Sequence, residues 1–180
     1  DAPYSISAVT GDDLEKIGAT EYRDYLTTVP GVALVEAGIG TNNVIIRGLA
    51  TAAGGSTLAG TVVTYFDEVA LNDGTGAIEV EPVDIERIEI LRGPQGTYYG
   101  AGSIGGTLRV IPNRPDLDEF SADLAATVSS VDGADDVGSN LTATVNLPIA
   151  EGKAAIRGSV YQRNEPDYVD NLQTGDKVGG

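Results

Sequence analysis

Between Arg92 and Pro115 the chain reads RGPQGTYYGAGSIGGTLRVIPNRP, with six glycines between positions 93 and 106. Residues without a Cβ free the backbone for positive φ and close packing. Gly100, Gly102 and Gly105 match the G-x-G-x-x-G spacing of a dinucleotide-binding turn. Such a turn must open a helix, whose N-terminus receives the pyrophosphate. Gly106 instead leads into TLRVI, five strand-like residues ended by Pro112. No strand–helix alternation comes after it. The glycines are therefore read as a tight, closely packed turn, and a nucleotide-dependent enzyme fails on context.

Upstream, two short helices are expected after a brief apolar strand at Ile6, Ala8 and Val9. Thr10 followed three residues later by Asp13 makes a capping box, with Asp in place of the usual Glu. Leu14 and Ile17 then share a face, and Gly18 stops the helix. Thr20 is the expected cap of the second helix. Tyr22, Tyr25, Leu26 and Val29 give that helix an apolar side, and Pro30-Gly31 ends it. From Val32 the texture becomes short β-branched segments: VALV (32–35), NVIIRG (43–48), TVVTYF (61–66), VAL (69–71), RIEIL (87–91) and TLRVI (107–111). Gly-rich loops at 37–42, 51–60 and 72–77 separate them. The fold class is α+β: a small mixed sheet with short helices and long loops, bounded near PNRP (112–115).

Beyond Pro115 the apolar period becomes two. Phe120, Ala122, Leu124, Ala126 and Val128 fall on one face of a first strand. Leu141, Ala143, Val145, Leu147 and Ile149 fall on one face of a second, and Ile156 and Val160 on one face of a third. Each segment has 11 residues. At the rise of a strand that is about 36 Å, and a tilted strand of about 9–11 residues crosses a bilayer. One long acidic link (131–138) and one short link (150–152) suit a membrane barrel. A water-facing antiparallel meander gives the same alternation, so alternation alone leaves both readings open. Tyr161 and Tyr168 are candidate interfacial aromatics.

The chain carries 27 acidic and 11 basic side chains, a formal charge of −16. That balance speaks against nucleic acid, whose binding rests on Lys and Arg neutralising phosphate. There is no Cys, His, Met or Trp. Disulfides, Cys zinc sites, Cys nucleophiles and Ser-His-Asp triads are excluded, and no metal site or cofactor is expected. No apolar run of 18 residues is present, a test that is blind to membrane strands. No N-terminal signal peptide is visible, so the sequence is read as cytoplasmic or already processed.

The stretch VDIERIEILRGPQGTYYGAGSIGGTLRVIPNRP (83–115) resembles the plug domain of TonB-dependent outer-membrane receptors. That family typically reads V-x-x-I-E-R-I-E-V-L-R-G-P-x-G-x-x-Y-G-x-x-x-x-G-G-x-I-N-I-I-T-K-R-P. SISAVTGDDLEKIGATEYRDYLTTVPGV (5–32), NVIIRGL (43–49) and VVTYFDEVAL (62–71) resemble other plug blocks in the same order. The resemblance covers residues 1 to about 115, and the alternating strands stand where the family's barrel begins. It implies a plug domain at 1–115 and, at 116–180, the first three strands of an incomplete barrel of about 22 strands.

The resemblance further implies a transporter rather than an enzyme. It implies a receptor in a Gram-negative outer membrane, with the plug inside the barrel and the N-terminus periplasmic. Its partners would be TonB with the inner-membrane energising complex, outer-membrane lipid, and a small ligand such as a ferric siderophore, cobalamin or an oligosaccharide, siderophore uptake being the commonest family task. Arg47 and Arg92 match family arginines that pair with barrel-wall glutamates and lock the plug; the alternative is that each satisfies a plug carboxylate such as Glu86 or Glu89. Ser56, Thr57, Asn72, Asp73 and Thr75 fall at family plug apices and, with Tyr98, are ligand-binding candidates, while Tyr99 is expected to pack in the core. Gly93, Gly96, Gly100, Gly102, Gly105 and Gly106 are the turn glycines. Two departures stand out. Asp67-Glu68 replaces the family's Asp-Gly, which predicts a turn other than type I′. Pro112 should end its strand, because it has no N–H for a ladder. No TonB box is seen before Asp1. Three strands do not close a barrel and leave open edges, so the chain is read as the N-terminal piece of a longer receptor or as a truncated product. The alternative is a stand-alone periplasmic binding or interaction domain derived from the plug.

Overall fold

In the computed structural model, residues 5–35, 43–48, 61–71, 79–94, 103–130, 137–164, 169–170 and 177–178 are described. The chain divides into two compact units, Asp1–Asn113 and Arg114–Gly180.

The first unit opens with strand β1 (Ser5–Thr10) and helix α1 (Gly11–Ile17). The expected capping box is present: Thr10 Oγ1 accepts from the Asp13 N–H at 3.2 Å, and Asp13 Oδ2 accepts from the Thr10 N–H at 3.3 Å. Gly18 ends the helix in the left-handed region at φ 64°, a conformation glycine takes without strain. Helix α2 (Tyr22–Leu26) departs from expectation. Its N-cap is Glu21, not Thr20. The Asp24 carboxylate reaches back to the N–H groups of both Thr20 (2.8 Å) and Glu21 (3.0 Å), so one side chain settles two donors and the helix starts a residue later.

Strands β2 (Val32–Val35) and β3 (Asn43–Ile46) form their own antiparallel pair. The main sheet holds β4 (Val62–Phe66), β5 (Val69–Ala70), β6 (Ile85–Arg92) and β7 (Gly106–Pro112) together with β1, in the order β1-β6-β7-β4-β5. Only β4 and β7 run parallel, so the sheet is mixed as expected. Strand β7 stops at Pro112. At the β4–β5 hairpin Asp67 has φ 54° and Glu68 does not have positive φ. A type I′ turn needs positive φ at both positions, so another turn is used here.

Period-two patterning sorts the faces of β6. Ile88 and Ile90 are fully buried and pack with Leu14, Tyr22, Tyr25, Leu26, Ile46, Leu108 and Val110 into one core. Burying side chains of this size contributes about 1.5–3 kcal/mol each. The Tyr22 and Tyr25 rings meet edge-on at 5.3 Å, and the Tyr25 hydroxyl donates to the Val80 carbonyl at 2.9 Å. Burial raises both phenols far above their ordinary pKa, so both stay protonated donors.

The second unit is an antiparallel meander of β8 (Ser121–Ser130), β9 (Val137–Ala150) and β10 (Ala154–Asn164), with β9 in the middle. Short strands β11 (Val169–Asp170) and β12 (Lys177–Val178) pair separately. Register places Leu124 opposite Ala143, Ala122 opposite Val145, and Ile156 opposite Leu147. The apolar sides of all three strands therefore make one continuous face, and it is the outer one: Leu124 and Val160 are 73% and 70% exposed. The buried positions are polar. Asn146 is fully enclosed and Thr144 nearly so. Asn146 Nδ2 donates to the carbonyls of Asp116 and Glu119, while its Oδ1 accepts from the Asp116 N–H. Thr144 and Ser159 hydroxyls bond at 2.9 Å. Tyr161 corrects an expectation. It lies opposite Thr142, on the side of Arg157 and Arg163, and so does not extend an aromatic band on the apolar face. Tyr168 lies outside the described residues.

Candidate functional site

Four stretches of the first unit converge around two guanidinium groups. Arg47 follows β3 with φ 54°, a conformation a bulky residue seldom adopts, and Gly48 continues it at φ 76°. The Arg47 N–H donates to the Gly31 carbonyl at 2.9 Å, which ties the end of β3 to the turn after α2. Arg92 closes β6. Its Nη1 donates to the Pro30 carbonyl at 3.1 Å and its Nη2 to Ser7 Oγ on β1 at 2.6 Å. Gly93 comes next at φ 105°, and a Cβ placed on it would stand 3.8 Å from Arg47 Nη1. The two candidate locking arginines are thus neighbours around one turn.

Among the described residues neither guanidinium has a carboxylate within ion-pair distance. The alternative partners are committed elsewhere. Glu89 takes Arg87 Nε at 2.8 Å and Arg109 Nη1 at 2.8 Å, and Glu86 pairs with Arg87. The reading in which Glu86 or Glu89 satisfies Arg47 or Arg92 is therefore corrected. Strand alternation is the reason: Arg87 and Glu89 share the face away from the helices, while Ile88, Ile90 and Arg92 share the face toward them. Arg92 Nε is buried and has no acceptor among the described residues. A donor left so costs about 1–3 kcal/mol.

Glu68 joins Arg109 Nη2 at 3.0 Å, completing a line Glu68–Arg109–Glu89–Arg87–Glu86 across the opposite face of the sheet. The hydrogen bond to Glu89, aided by the nearby carboxylates, raises the Arg87 pKa further and keeps it charged. The sequence reading passed over this line. Its signal was the alternation in E-R-I-E together with Arg109 at the register position opposite Glu89.

The glycines sort by what surrounds them. Gly93 N–H donates to the Gly105 carbonyl at 3.0 Å, and Gly105 N–H to the Thr61 carbonyl at 2.8 Å. A Cβ at Gly106 would stand 2.5 Å from the Leu91 carbonyl oxygen and 2.8 Å from Ile46 Cδ1, so no larger residue fits unmoved. A strand begins directly at Gly106, which removes the helix a phosphate cradle needs. Gly96, Gly100, Gly102, Tyr98 and Tyr99 lie outside the described residues, as do Ser56, Thr57, Asn72, Asp73 and Thr75. Among the described residues no group of three His, Cys, Asp or Glu is placed to hold a metal, and no helix is long and apolar enough to cross a membrane.

A mixed sheet backed by two short helices, a glycine-packed turn, paired arginines at its inner corner and an apolar-faced meander after it define the class of a barrel plug with barrel strands. The family model for the TonB-dependent Receptor Plug Domain matches residues 1–107, and the chain belongs to that family. An iron-regulated outer membrane virulence protein of Vibrio cholerae serotype O1 is 30% identical over 171 residues, covering 92% of this chain and 26% of that protein. The ferric yersiniabactin uptake receptor FyuA of Yersinia pestis superposes with a TM-score of 0.78 at 21% identity, over 99% of this chain and 27% of that one. The pyoverdine outer membrane receptor FpvA of Pseudomonas aeruginosa gives 0.74 at 22% identity, over 94% and 23%. The chain thus spans about a quarter of the length of these relatives.

Proposed function

We propose that this chain is the N-terminal part of a TonB-dependent outer-membrane transporter of a Gram-negative bacterium, with the plug at 1–115 and the first three barrel strands at 116–180. Its task is energised uptake of a scarce small ligand, with ferric siderophores as the favoured class and cobalamin or an oligosaccharide as the alternatives. The plug gates the lumen, and TonB passes on the energy. Arg47 and Arg92 hold the plug by pairing with carboxylates of the barrel wall. The observation that carries this reading is the continuous apolar face of β8–β10 in a chain whose preceding residues have a plug-family fold. Lipid covers such a face; a free-standing periplasmic domain would leave it to water. The names of two relatives, one iron-regulated and one a ferric yersiniabactin uptake receptor, favour an iron-bearing ligand.

The test is uptake by cells whose own receptors are deleted and which express the full-length receptor carrying this sequence. Radio-iron on a catecholate, a hydroxamate and a mixed-ligand siderophore is compared with labelled cobalamin and an oligosaccharide, with and without TonB. TonB-dependent accumulation of a ferric siderophore is the expected result. Accumulation of cobalamin alone would reassign the ligand, and no TonB-dependent uptake of any probe would overturn the reading.

A further inference from the structure

We propose that Ser7 is a positioning residue for Arg92 and couples the N-terminal edge strand to the arginine pair; this rests on the locking role proposed above for Arg47 and Arg92. Among the described residues strand β1 is the outermost strand of its sheet and pairs only with β6. Ser7 stands opposite Ile90 and Ser5 opposite Arg92, so the Ser7 hydroxyl and the Arg92 side chain share the core-side face as diagonal neighbours. Their 2.6 Å bond is short, as expected when the donor is a cation. Among the described residues it is the one side-chain bond that joins β1 to either arginine.

The bond shapes what the arginine presents. With Nη1 on the Pro30 carbonyl and Nη2 on Ser7, the guanidinium plane is fixed between two anchors that lie on different segments. Arg47 is brought alongside by the Gly31 carbonyl and the missing side chain of Gly93. Ser7 accepts from Arg92, and its own O–H donates to no described residue, which leaves a rotatable donor beside the guanidinium for an incoming carboxylate. Two cations and a hydroxyl, none with a carboxylate among the described residues, make a cradle suited to a carboxylate oxygen pair.

Strand polarity sets the order of release. β1 enters the sheet at Ser5, beside Arg92, and leaves it at Thr10, beside Arg87. Displacement of the strand from its N-terminal side therefore breaks the Ser5 and Ser7 positions first. Among the described residues Arg92 then keeps only the Pro30 carbonyl, its plane is no longer fixed, and its hold on a carboxylate weakens. Strand departure and lock release become one event.

The experiment uses the full-length receptor with a nitroxide on Ile6→Cys, an exposed position; these 180 residues hold no cysteine, and any elsewhere in the receptor is replaced by serine. The mobile fraction of the label through a urea titration gives the opening equilibrium of β1. Ser7→Ala should raise that equilibrium about tenfold or more, in keeping with loss of a hydrogen bond to a charged group. Ser7→Thr should stay close to wild type. In an Arg92→Ala background, or Arg92→Gln where the alanine variant does not fold, Ser7→Ala should change it less than twofold. An equal effect of Ser7→Ala in both backgrounds would overturn the coupling. Release of the plug from the barrel, measured separately, tests the underlying reading: if Arg47→Ala and Arg92→Ala leave it unchanged, the lock is wrong, while the Ser7–Arg92 cycle still decides the coupling.

Discussion

The two units use opposite insides. In Asp1–Asn113 most enclosed residues are Ile, Leu, Val and Tyr, with Thr64, Ser103 and Thr107 among them, and the ion pairs of β6 and β7 lie on the outer side of the sheet. In Arg114–Gly180 the enclosed residues are Thr144 and Asn146, and Leu, Val and Ile face outward. Both obey the same alternation along their strands. What differs is which face the surroundings reward, and that is a property of solvent rather than of strand propensity. A water-facing fold gathers its apolar side inward, whereas an apolar outer side suits lipid.

The comparison can be broken most directly with one substitution made twice. Leu108→Ala, in the core of the first unit, should cost about 2–5 kcal/mol, seen as a lower urea midpoint. Leu124→Ala, on the outer face of the second, should shift the midpoint far less in detergent. Equal costs would mean that the outer face is covered by protein. Leu124→Arg should instead cost about 2–4 kcal/mol when the strands refold into a bilayer, if this position lies near its midplane.

Asn146→Leu sharpens the other half. An apolar residue of similar size there would strand the Asp116 N–H and the carbonyls of Asp116 and Glu119. The expected loss is up to about 3 kcal/mol for a group left buried without a partner, with faster amide exchange at Asp116. Gly106→Ala probes close packing in the first unit. Its Cβ meets backbone at 2.5 Å, which cannot rotate away, and forced overpacking of this kind costs about 1–3 kcal/mol. A wild-type urea midpoint would show that β6 and β7 separate easily.

The smallest effect concerns acid. Hydrogen bonds from the Thr10 side chain and then its backbone lower the Asp13 pKa below its ordinary 3.8. A depressed carboxylate pKa contributes stability that is fully present above the unfolded value and is lost as pH falls through the folded one. Amide protection at the start of α1 should therefore hold at neutral pH and fall below about pH 4, given an unfolded Asp near 3.9. Asp13→Asn should flatten that response. The second unit offers a parallel case: Asp116 is lowered by the N–H groups of Asp118 and Glu119.

Much of the fold was legible in the sequence, for identifiable reasons. VALV at 32–35 coincides with β2, and the ends of the alternating stretches fall within a residue or two of those of β8–β10. Thr10, Asp13 and Gly18 act as read because caps are decided within one turn of chain. What was hidden depends on distant partners. The start of α2 moved because the Asp24 carboxylate, a turn further on, takes the N–H groups of Thr20 and Glu21. Parallel pairing of β4 with β7, and with it the position of Arg109 between Glu68 and Glu89, has no local signature. Tyr161 was placed by residue type, whereas strand parity decides its face. At the arginine corner the pattern supplied Arg47 and Arg92, but Ser7 carries no signal beyond being a small polar residue on a short strand.

The strand order β1-β6-β7-β4-β5 also bears on time. The partner of the first strand is not its neighbour in sequence, and Ser7 and Arg92 lie 85 positions apart. A chain made or threaded from its N-terminus has β1 and β4 long before β6 and β7 exist to receive them. Non-local pairing of this kind is slow, because loop closure comes before any compensating contact. The first half of the chain therefore travels with its strand edges uncovered, exposed to whatever can hold an open strand, until the segment from Ile85 to Pro112 arrives and closes the sheet from its middle outward.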